Sequence, residues 1–332
     1  MGLSFILLSA LAAHAQVQPG QPELDQWFPL PAQGISGAAA TALANRALLV
    51  SDRNDERQVY DYNFIDGTIT PLPFTAVARD EITDLEGLTR RPNGTYFMIA
   101  SLSRNQMGQL PDKRLRLGSF TLIDDGAGNV SVQGYVFRGT DSLRSAIIAL
   151  LPDGVRDAAD LNLPEQGGLN VEALAFVPQG ATPMEISADA LLIGLRGPVS
   201  ENRRAFYFYL LNADSYLQRV DDTPELRGPY EVDLNGQGFR DATILRTQTG
   251  DTRLLILAGN VGGPRDPHAF LFDTQNPSSA PEPMPLPPNS ERRAIEGAAV
   301  LSVLAVGDVE PVERLTLYED SAPSNAVVTA LP

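Results

Sequence analysis

The chain alternates short apolar runs with polar turns, and this pattern recurs in five units. Each unit has a small or acidic opening, a short apolar strand, a polar turn and a second apolar strand. The openings lie near residues 35, 84, 170, 239 and 294. In the second unit, Pro92-Asn93-Gly94 separates the two apolar runs, which is typical of a hairpin because Asn and Gly accept positive φ angles. The pattern therefore predicts repeated antiparallel strand pairs.

Further runs rich in β-branched and aromatic residues follow the pairs, at 58–64, 117–122 and 205–210. Such residues favour strands, and with a fourth strand each unit forms one four-stranded blade. The chain is therefore predicted to be all-β and to form a β-propeller of five blades. The long gap between the second and third units contains a predicted short helical insertion at about 141–151. Six blades are the alternative if a degenerate blade lies in that gap.

The two ends of the chain have separate predicted roles. Residues 3–13 form an apolar run that ends in Ala13-His14-Ala15, so residues 1–15 are predicted to be a signal peptide. Residues 16–34 are predicted to close the ring, with strands at 26–30 and 326–331 sharing one blade. Residues 35–332 then form a single propeller domain. This organisation predicts export to the periplasm or the extracellular space, with no later segment able to span a membrane.

Composition excludes several classes of function. The sequence contains no cysteine, which excludes disulfides, thiolate metal sites and cysteine nucleophiles. The net charge of −16 argues against binding to nucleic acid or to anionic lipid. A small anionic ligand or a protein partner is compatible with it, because arginine side chains occur throughout the chain.

Candidate chemistry appears when the five units are aligned by their openings. One aligned position then holds Ser36, Glu86, Glu172, Asp241 and Glu296. Because innermost strands line the central channel of a propeller, the four acidic residues are predicted to ring one mouth of that channel. Crowded carboxylates repel one another. Either a hard cation such as Ca²⁺ lies among them, or arginine side chains pair with them. Arg53, Asn170, Arg196 and Arg240 are the predicted ligand-binding residues at the same mouth.

Several of these segments together resemble a known family. They are Asp84-Leu85-Glu86-Gly87-Leu88, Leu169-Asn170-Val171-Glu172-Ala173-Leu174, Leu192-Ile193-Gly194-Leu195-Arg196-Gly197-Pro198 and Gly238-Phe239-Arg240-Asp241-Ala242. They resemble the bacterial DUF3616 family, a domain of unknown function, over roughly residues 35–320. The Glu-Gly-Leu segments also resemble the esterase-like phytase propellers. That second resemblance implies hydrolysis of phosphorylated or ester substrates with bound Ca²⁺, although no dense acidic loop here matches a multi-calcium site.

Three functions are compatible with these features. The first is a cation-dependent hydrolase of a small anionic or ester substrate, with Glu86, Glu172, Asp241 and Glu296 holding the cation. The second is a non-catalytic propeller that binds a ligand or protein at the same mouth. In the third, the acidic ring is structural and its carboxylates pair with arginines.

Overall fold

The computed structural model describes residues 24–30, 32–52, 59–64, 66–72, 82–124, 130–219, 222–247, 251–261, 267–290, 293, 295–303, 312–320 and 324–332. Within these ranges the strands form five antiparallel sheets of four strands each, which are the blades of a five-bladed β-propeller. The prediction of five blades is thereby confirmed. The predicted signal peptide and Arg53 lie outside the described residues.

Four blades are each built from consecutive strands, ordered from the channel outwards. Blade 1 contains β2 (Ile35–Ala40), β3 (Arg46–Ser51), β4 (Val59–Asn63) and β5 (Ile69–Pro71). Blade 2 contains β6 (Leu85–Arg90), β7 (Thr95–Ala100), β8 (Arg116–Asp124) and β9 (Val130–Gly139). Blade 3 contains β10 (Asn170–Val177), β11 (Ala190–Val199), β12 (Ala205–Leu210) and β13 (Leu226–Val232). Blade 4 contains β14 (Gly238–Arg246), β15 (Thr252–Gly259), β16 (His268–Phe272) and β17 (Glu282–Met284).

Blade 5 joins the two ends of the chain. Its strands are β18 (Ile295–Val303), β19 (Val312–Glu319), β20 (Asn325–Thr329) and β1 (Trp27–Pro29). The N-terminal strand β1 is the outermost strand and pairs with β20, so that Trp27 lies opposite Val327. These are the two segments in which the sequence placed the closing strands. Closure is further held by the indole of Trp27, which donates a hydrogen bond to the carbonyl of Pro288 (3.1 Å).

The hydrophobic core is divided among the contacts between blades. Five clusters of buried apolar side chains each lie between two neighbouring blades. The cluster between blades 2 and 3 is extended by two helices, α1 (Asp141–Leu150) and α2 (Asp153–Leu161), and α1 contributes Leu143 and Ile147 to it. A third helix, α3 (Ala213–Gln218), connects β12 to β13, and 3₁₀ turns lie at Asp112–Arg114 and Pro164–Gln166.

The helical insertion is present at the predicted place and is longer than predicted, because α2 follows α1. Among the described residues, no helix has the length and apolar character needed to cross a bilayer. The insertion packs beside the end of the channel where the innermost strands begin, because Arg144 of α1 donates to the carbonyl of Leu102, just after β7 (3.2 Å).

Candidate functional site at the channel mouth

Every innermost strand has a β-bulge near its start, and an apolar residue directly precedes the bulged residue. In blade 2, for example, Leu85 pairs with Ala100 and Gly87 pairs with Ile99, so Glu86 has no partner across the pair. The bulged residues of blades 1 to 5 are Ser36, Glu86, Glu172, Arg240 and Glu296. We call these five positions the mouth ring. Bulges re-aim a side chain out of the regular pleat, and they are common beside functional sites.

The register corrects the sequence alignment in blade 4. Phe239 pairs with Ala258 and Asp241 pairs with Leu257, so the bulged residue is Arg240 and not Asp241. Asp241 therefore corresponds to the small residue that follows the bulge in the other blades, such as Gly87. The mouth ring contains three glutamates, one serine and one arginine in place of the four predicted carboxylates.

Arg240 bridges the two ring members on either side of it. Its Nη1 lies 2.9 Å from Oε2 of Glu172 in blade 3 and 2.5 Å from Oε1 of Glu296 in blade 5. The Arg240 side chain is 16% exposed and the glutamates are 5% and 11% exposed, so this bridge is largely shielded from water. Burial lowers the pKa of Arg240, but the two carboxylates outweigh that effect and the net pKa is raised. Burial raises the pKa of Glu296, and Arg240 opposes the rise.

Glu172 is the most heavily bonded carboxylate of the ring. Besides Arg240, its Oε1 accepts hydrogen bonds from Nη1 of Arg196 and from Nδ2 of Asn170, both at 2.7 Å. Each donor keeps one unused group, because Oδ1 of Asn170 and Nε of Arg196 are buried with no hydrogen-bond partner in the described part of the chain. The predicted residues Asn170, Arg196, Arg240 and Glu172 are thus brought together at one point.

Glu86 differs from the other two glutamates. Its side chain is only 8% exposed, and within the described residues its carboxyl group has neither a hydrogen bond nor an ion pair. Burial raises the pKa of Glu86 well above its usual range, and the nearby charges of Asp84, Glu172, Asp52 and Glu296 raise it further. Such surroundings favour the protonated form of the carboxyl group.

Asp84 lies two residues before Glu86 and is not one of the site residues predicted from the sequence. Its backbone adopts φ +60°, which is uncommon for residues other than Gly. Oδ2 of Asp84 forms an ion pair with Nη1 of Arg114 (3.0 Å) and accepts a hydrogen bond from Ser101. Burial raises the pKa of Asp84, while Arg114 and Ser101 oppose the rise. Arg114 lies in a 3₁₀ turn outside the repeat, so no sequence pattern pointed to it.

Asp241 has a structural role at the contact between blades 4 and 5. Its side chain is fully buried, with Oδ1 accepting the backbone N–H of Ala242 and Oδ2 that of Ala298, both at 2.7 Å. Burial raises the pKa of Asp241 well above its usual range, and the two N–H donors oppose the rise.

The predicted calcium site requires about six to eight oxygen ligands. Glu172 and Glu296 bind Arg240, and Asp241 binds backbone N–H groups, so among these four predicted ligands only Glu86 has a carboxyl group without a bond to another described residue. Among the residues that the structure describes, no group of three or more Asp, Glu or His side chains is placed to hold a metal ion. The donor set in this arrangement does not fit Ca²⁺.

No protein-family model matches this sequence, and no curated protein matches it either. Solved propeller structures are similar in their strand arrangement. An endo-arabinase from Bacteroides thetaiotaomicron has a TM-score of 0.44 and 12% identity, over 92% of this chain and 96% of that one. A PQQ-bound aldose sugar dehydrogenase from Streptomyces coelicolor has a TM-score of 0.41 and 13% identity, over 91% and 97%. The Dos1 propeller has a TM-score of 0.34 and 10% identity, over 91% and 71%. The likeness to each of them stops at the propeller architecture.

Proposed function

We propose that this chain is a hydrolase that acts at the mouth ring on a small substrate with an oxygen leaving group, and that Glu86 is its general acid. The observation that carries this role is the isolation of Glu86, a buried carboxyl group without a cationic partner among the described residues. General acids are tuned by such surroundings, since burial and like charges keep the proton on the carboxyl group until a developing alkoxide takes it.

Asp84 is the complementary base. Its Oδ2 is held by Arg114 and Ser101, whereas no described residue binds its Oδ1. In the proposed step, Asp84 accepts a proton from water while the water oxygen bonds to the electrophilic carbon of the substrate. The bond from that carbon to the leaving oxygen breaks, and Glu86 gives its proton to that oxygen. The unusual backbone conformation of Asp84 fits this role, because strained residues cluster at active sites.

The arrangement favours a neutral substrate over the anionic one expected from the sequence. Arg196 and Arg240 both bind Glu172, so neither guanidinium is free to receive an anion without breaking an ion pair. The unused groups of Asn170 and Arg196 suit a ligand that carries hydroxyl or carbonyl oxygens, because one is an acceptor and the other a donor.

The first measurement needs no substrate. Infrared difference spectroscopy between the wild type and Glu86→Gln at pH 7 should show the C=O stretch of a protonated carboxylic acid. Glu282→Gln is the matched control, because Glu282 is exposed on the outermost strand of blade 4. If the wild type lacks this band, Glu86 is ionised and cannot be the acid.

The second measurement is turnover on a panel of 4-nitrophenyl and phenyl esters and glycosides. Loss of a general acid reduces the rate by about 10²- to 10⁴-fold. We expect Glu86→Gln to show that loss with phenyl substrates, a smaller loss with 4-nitrophenyl substrates, and Glu282→Gln to show none. Equal losses for good and poor leaving groups would rule out proton donation by Glu86.

The second candidate function is ligand binding without catalysis, and the unused groups of Asn170 and Arg196 favour it. A ligand that raises the melting temperature of the protein but is recovered unchanged would support this function. In that case Asn170→Ala should weaken binding, and no substrate of the panel should be turned over.

A further inference from the structure

The opposite end of the central channel contains a cavity of about 620 Å³. All five blades contribute to its wall, through residues near the ends of their innermost strands, among them Ala39, Leu88, Phe176, Ile244 and Val300. The wall begins two residues after Glu86, at Leu88, and its charged residues Arg90 and Arg246 lie four and six residues after Glu86 and Arg240 of the mouth ring, which is about 13–20 Å along a strand. The cavity is therefore a second site, separate from the mouth ring.

Its surface combines an apolar wall with a charged rim. Ala40, Ile244 and Val300 are partly exposed and supply apolar surface, and Arg90, Arg246 and Glu313 carry the charges among the lining residues. Two cations against one anion give a positive rim in a protein whose net charge is −16. Such a local reversal of sign is a signature of anion recognition, because the rest of the surface repels anions.

The two arginines are available to a ligand in different ways. Arg246 is exposed, and no carboxylate in the described part of the chain pairs with it. Arg90 is half-buried with its guanidinium 6.0 Å from the ring centroid of Tyr96, and its Nε has no hydrogen-bond partner among the described residues. Arg90 is thus held in place and Arg246 is free to close on a ligand.

We propose that this cavity binds a small molecule that has an apolar body and one anionic group, such as a carboxylate or sulfonate. The apolar body lies against Ala40, Ile244 and Val300, and the anionic group lies between Arg90 and Arg246. The volume suits such a molecule, since pockets for small ligands span about 300–1,000 Å³. Glu313 at the rim disfavours a second negative charge.

The test uses two fluorescent probes with the same aromatic body. 8-Anilinonaphthalene-1-sulfonate carries one anionic group, and N-phenyl-1-naphthylamine lacks it. We expect the sulfonate probe to bind wild-type protein with a stoichiometry of one and more tightly than the neutral probe, with the advantage decreasing as salt is added.

Three rim variants then locate the site. Arg246→Gln should weaken binding of the sulfonate probe about three- to fivefold, which is the effect of losing one partly exposed ion pair. Glu313→Gln should strengthen it about two- to threefold for the same reason. Neither variant should change binding of the neutral probe. Thr252→Trp, at an exposed position of the cavity rim, should weaken binding of both probes by obstructing entry.

All three substitutions are at exposed positions, so folding should be preserved, and a melting curve for each variant checks this. Glu86→Gln should bind both probes as the wild type does, which separates this site from the mouth ring. The proposal is overturned if the sulfonate probe does not saturate one site. It is equally overturned if Arg246→Gln weakens both probes to the same extent.

Discussion

Replacement of Arg240 by Met should destabilise the fold more than any surface arginine replacement, because Arg240 joins three blades. It pairs with Glu172 of blade 3 and Glu296 of blade 5, and its Nη2 donates to the carbonyl of Asn260 (3.2 Å). Methionine fills much of the same volume without the charge. In Arg240→Met, Glu172 keeps Arg196 and Asn170, whereas Glu296 loses its only ion-pair partner among the described residues.

The magnitude follows from the burial of the three groups. Removal of one partner from a buried ion pair costs about 3–5 kcal/mol. The lower end applies because Arg240 is 16% exposed and because Glu296 is able to take up a proton. We therefore expect a loss of about 3 kcal/mol in the free energy of unfolding at pH 8. For a chain of this length, that corresponds to a fall of about 4 °C in melting temperature.

The loss should depend on pH, and its sign is fixed by the raised pKa of Glu296. A carboxyl group whose folded-state pKa lies above its unfolded value of 4.5 contributes stability at low pH and loses it as pH rises. Arg240 opposes this rise in the wild type, so its removal raises the pKa of Glu296 further. The pKa of Glu296 in the wild type is about 8, so the difference in unfolding free energy between wild type and Arg240→Met should be larger at pH 8 than at pH 5 and should increase mainly above pH 8.

The assay is equilibrium urea unfolding, followed by far-UV circular dichroism and by fluorescence of Trp27, the single tryptophan. Arg227→Met is the matched control, because Arg227 and Glu225 are about half-exposed and 3.4 Å apart, and exposed pairs contribute about 0–1 kcal/mol. Arg240→Met combined with Glu296→Gln should recover part of the lost stability. A cost below about 1 kcal/mol at pH 8, or an equal cost at pH 5, would refute the inferred role of Arg240.

Four further outcomes are expected. Glu86→Gln should become more stable than wild type as pH rises above the usual pKa of glutamate, by about 1.4 kcal/mol per pH unit while Glu86 stays protonated in the folded protein. Urea unfolding at several pH values measures this difference, and a variant that is less stable than wild type at pH 8 would contradict it. Millimolar Ca²⁺ should not raise the melting temperature relative to EDTA, and a rise that Glu86→Gln abolishes would restore the calcium site. Asp241→Asn should lower the free energy of unfolding in urea by about 2–3 kcal/mol, because an amide nitrogen cannot accept the N–H of Ala298. If the variant were as stable as wild type, this hydrogen bond would be dispensable. Gly87→Ala should lower the free energy of unfolding by about 1–3 kcal/mol, because the new Cβ would lie 2.6 Å from Cβ of Leu174. An unchanged melting temperature would show that blades 2 and 3 move apart easily.

The blades could be predicted from the sequence because each unit repeats the same apolar and polar alternation. The strand pairs that begin at Ile35 and Leu85 are the first two innermost pairs of the structure. The second helix of the insertion could not be predicted. Segment 153–161 has helical spacing at Val155, Ala158 and Ala159, but it contains Gly154, which disfavours a helix interior, and only Ala159 is buried, so its helix signal is weak.

The mouth ring could be predicted in part. Alignment by acidic residues identified Glu86, Glu172 and Glu296 but selected Asp241 in blade 4. The signal that identifies Arg240 is the apolar residue before each bulge, which in blade 4 is Phe239. The sequence alignment matched acidic residues with one another and ignored the apolar residue before each of them. A bulge changes which residues pair across the strands but leaves no mark on residue composition, so the alignment error was not visible in the sequence.

The position of Arg240 in the ring decides which glutamate of the mouth ring remains without a cation. In a ring of five, Arg240 of blade 4 is adjacent only to Glu172 and Glu296, and it pairs with both. Glu86 of blade 2 lies between Glu172 and Ser36, whose hydroxyl donates to the carbonyl of Leu85 (2.5 Å) and provides no charge. A single arginine therefore serves two of the three glutamates, and burial without a cation raises the pKa of the third well above its usual range. Arg240 occupies the ring position that holds a glutamate in three other blades, and it stabilises the contacts among blades 3 to 5. Glu86 of blade 2 is thus left as an acid on the other side of the channel.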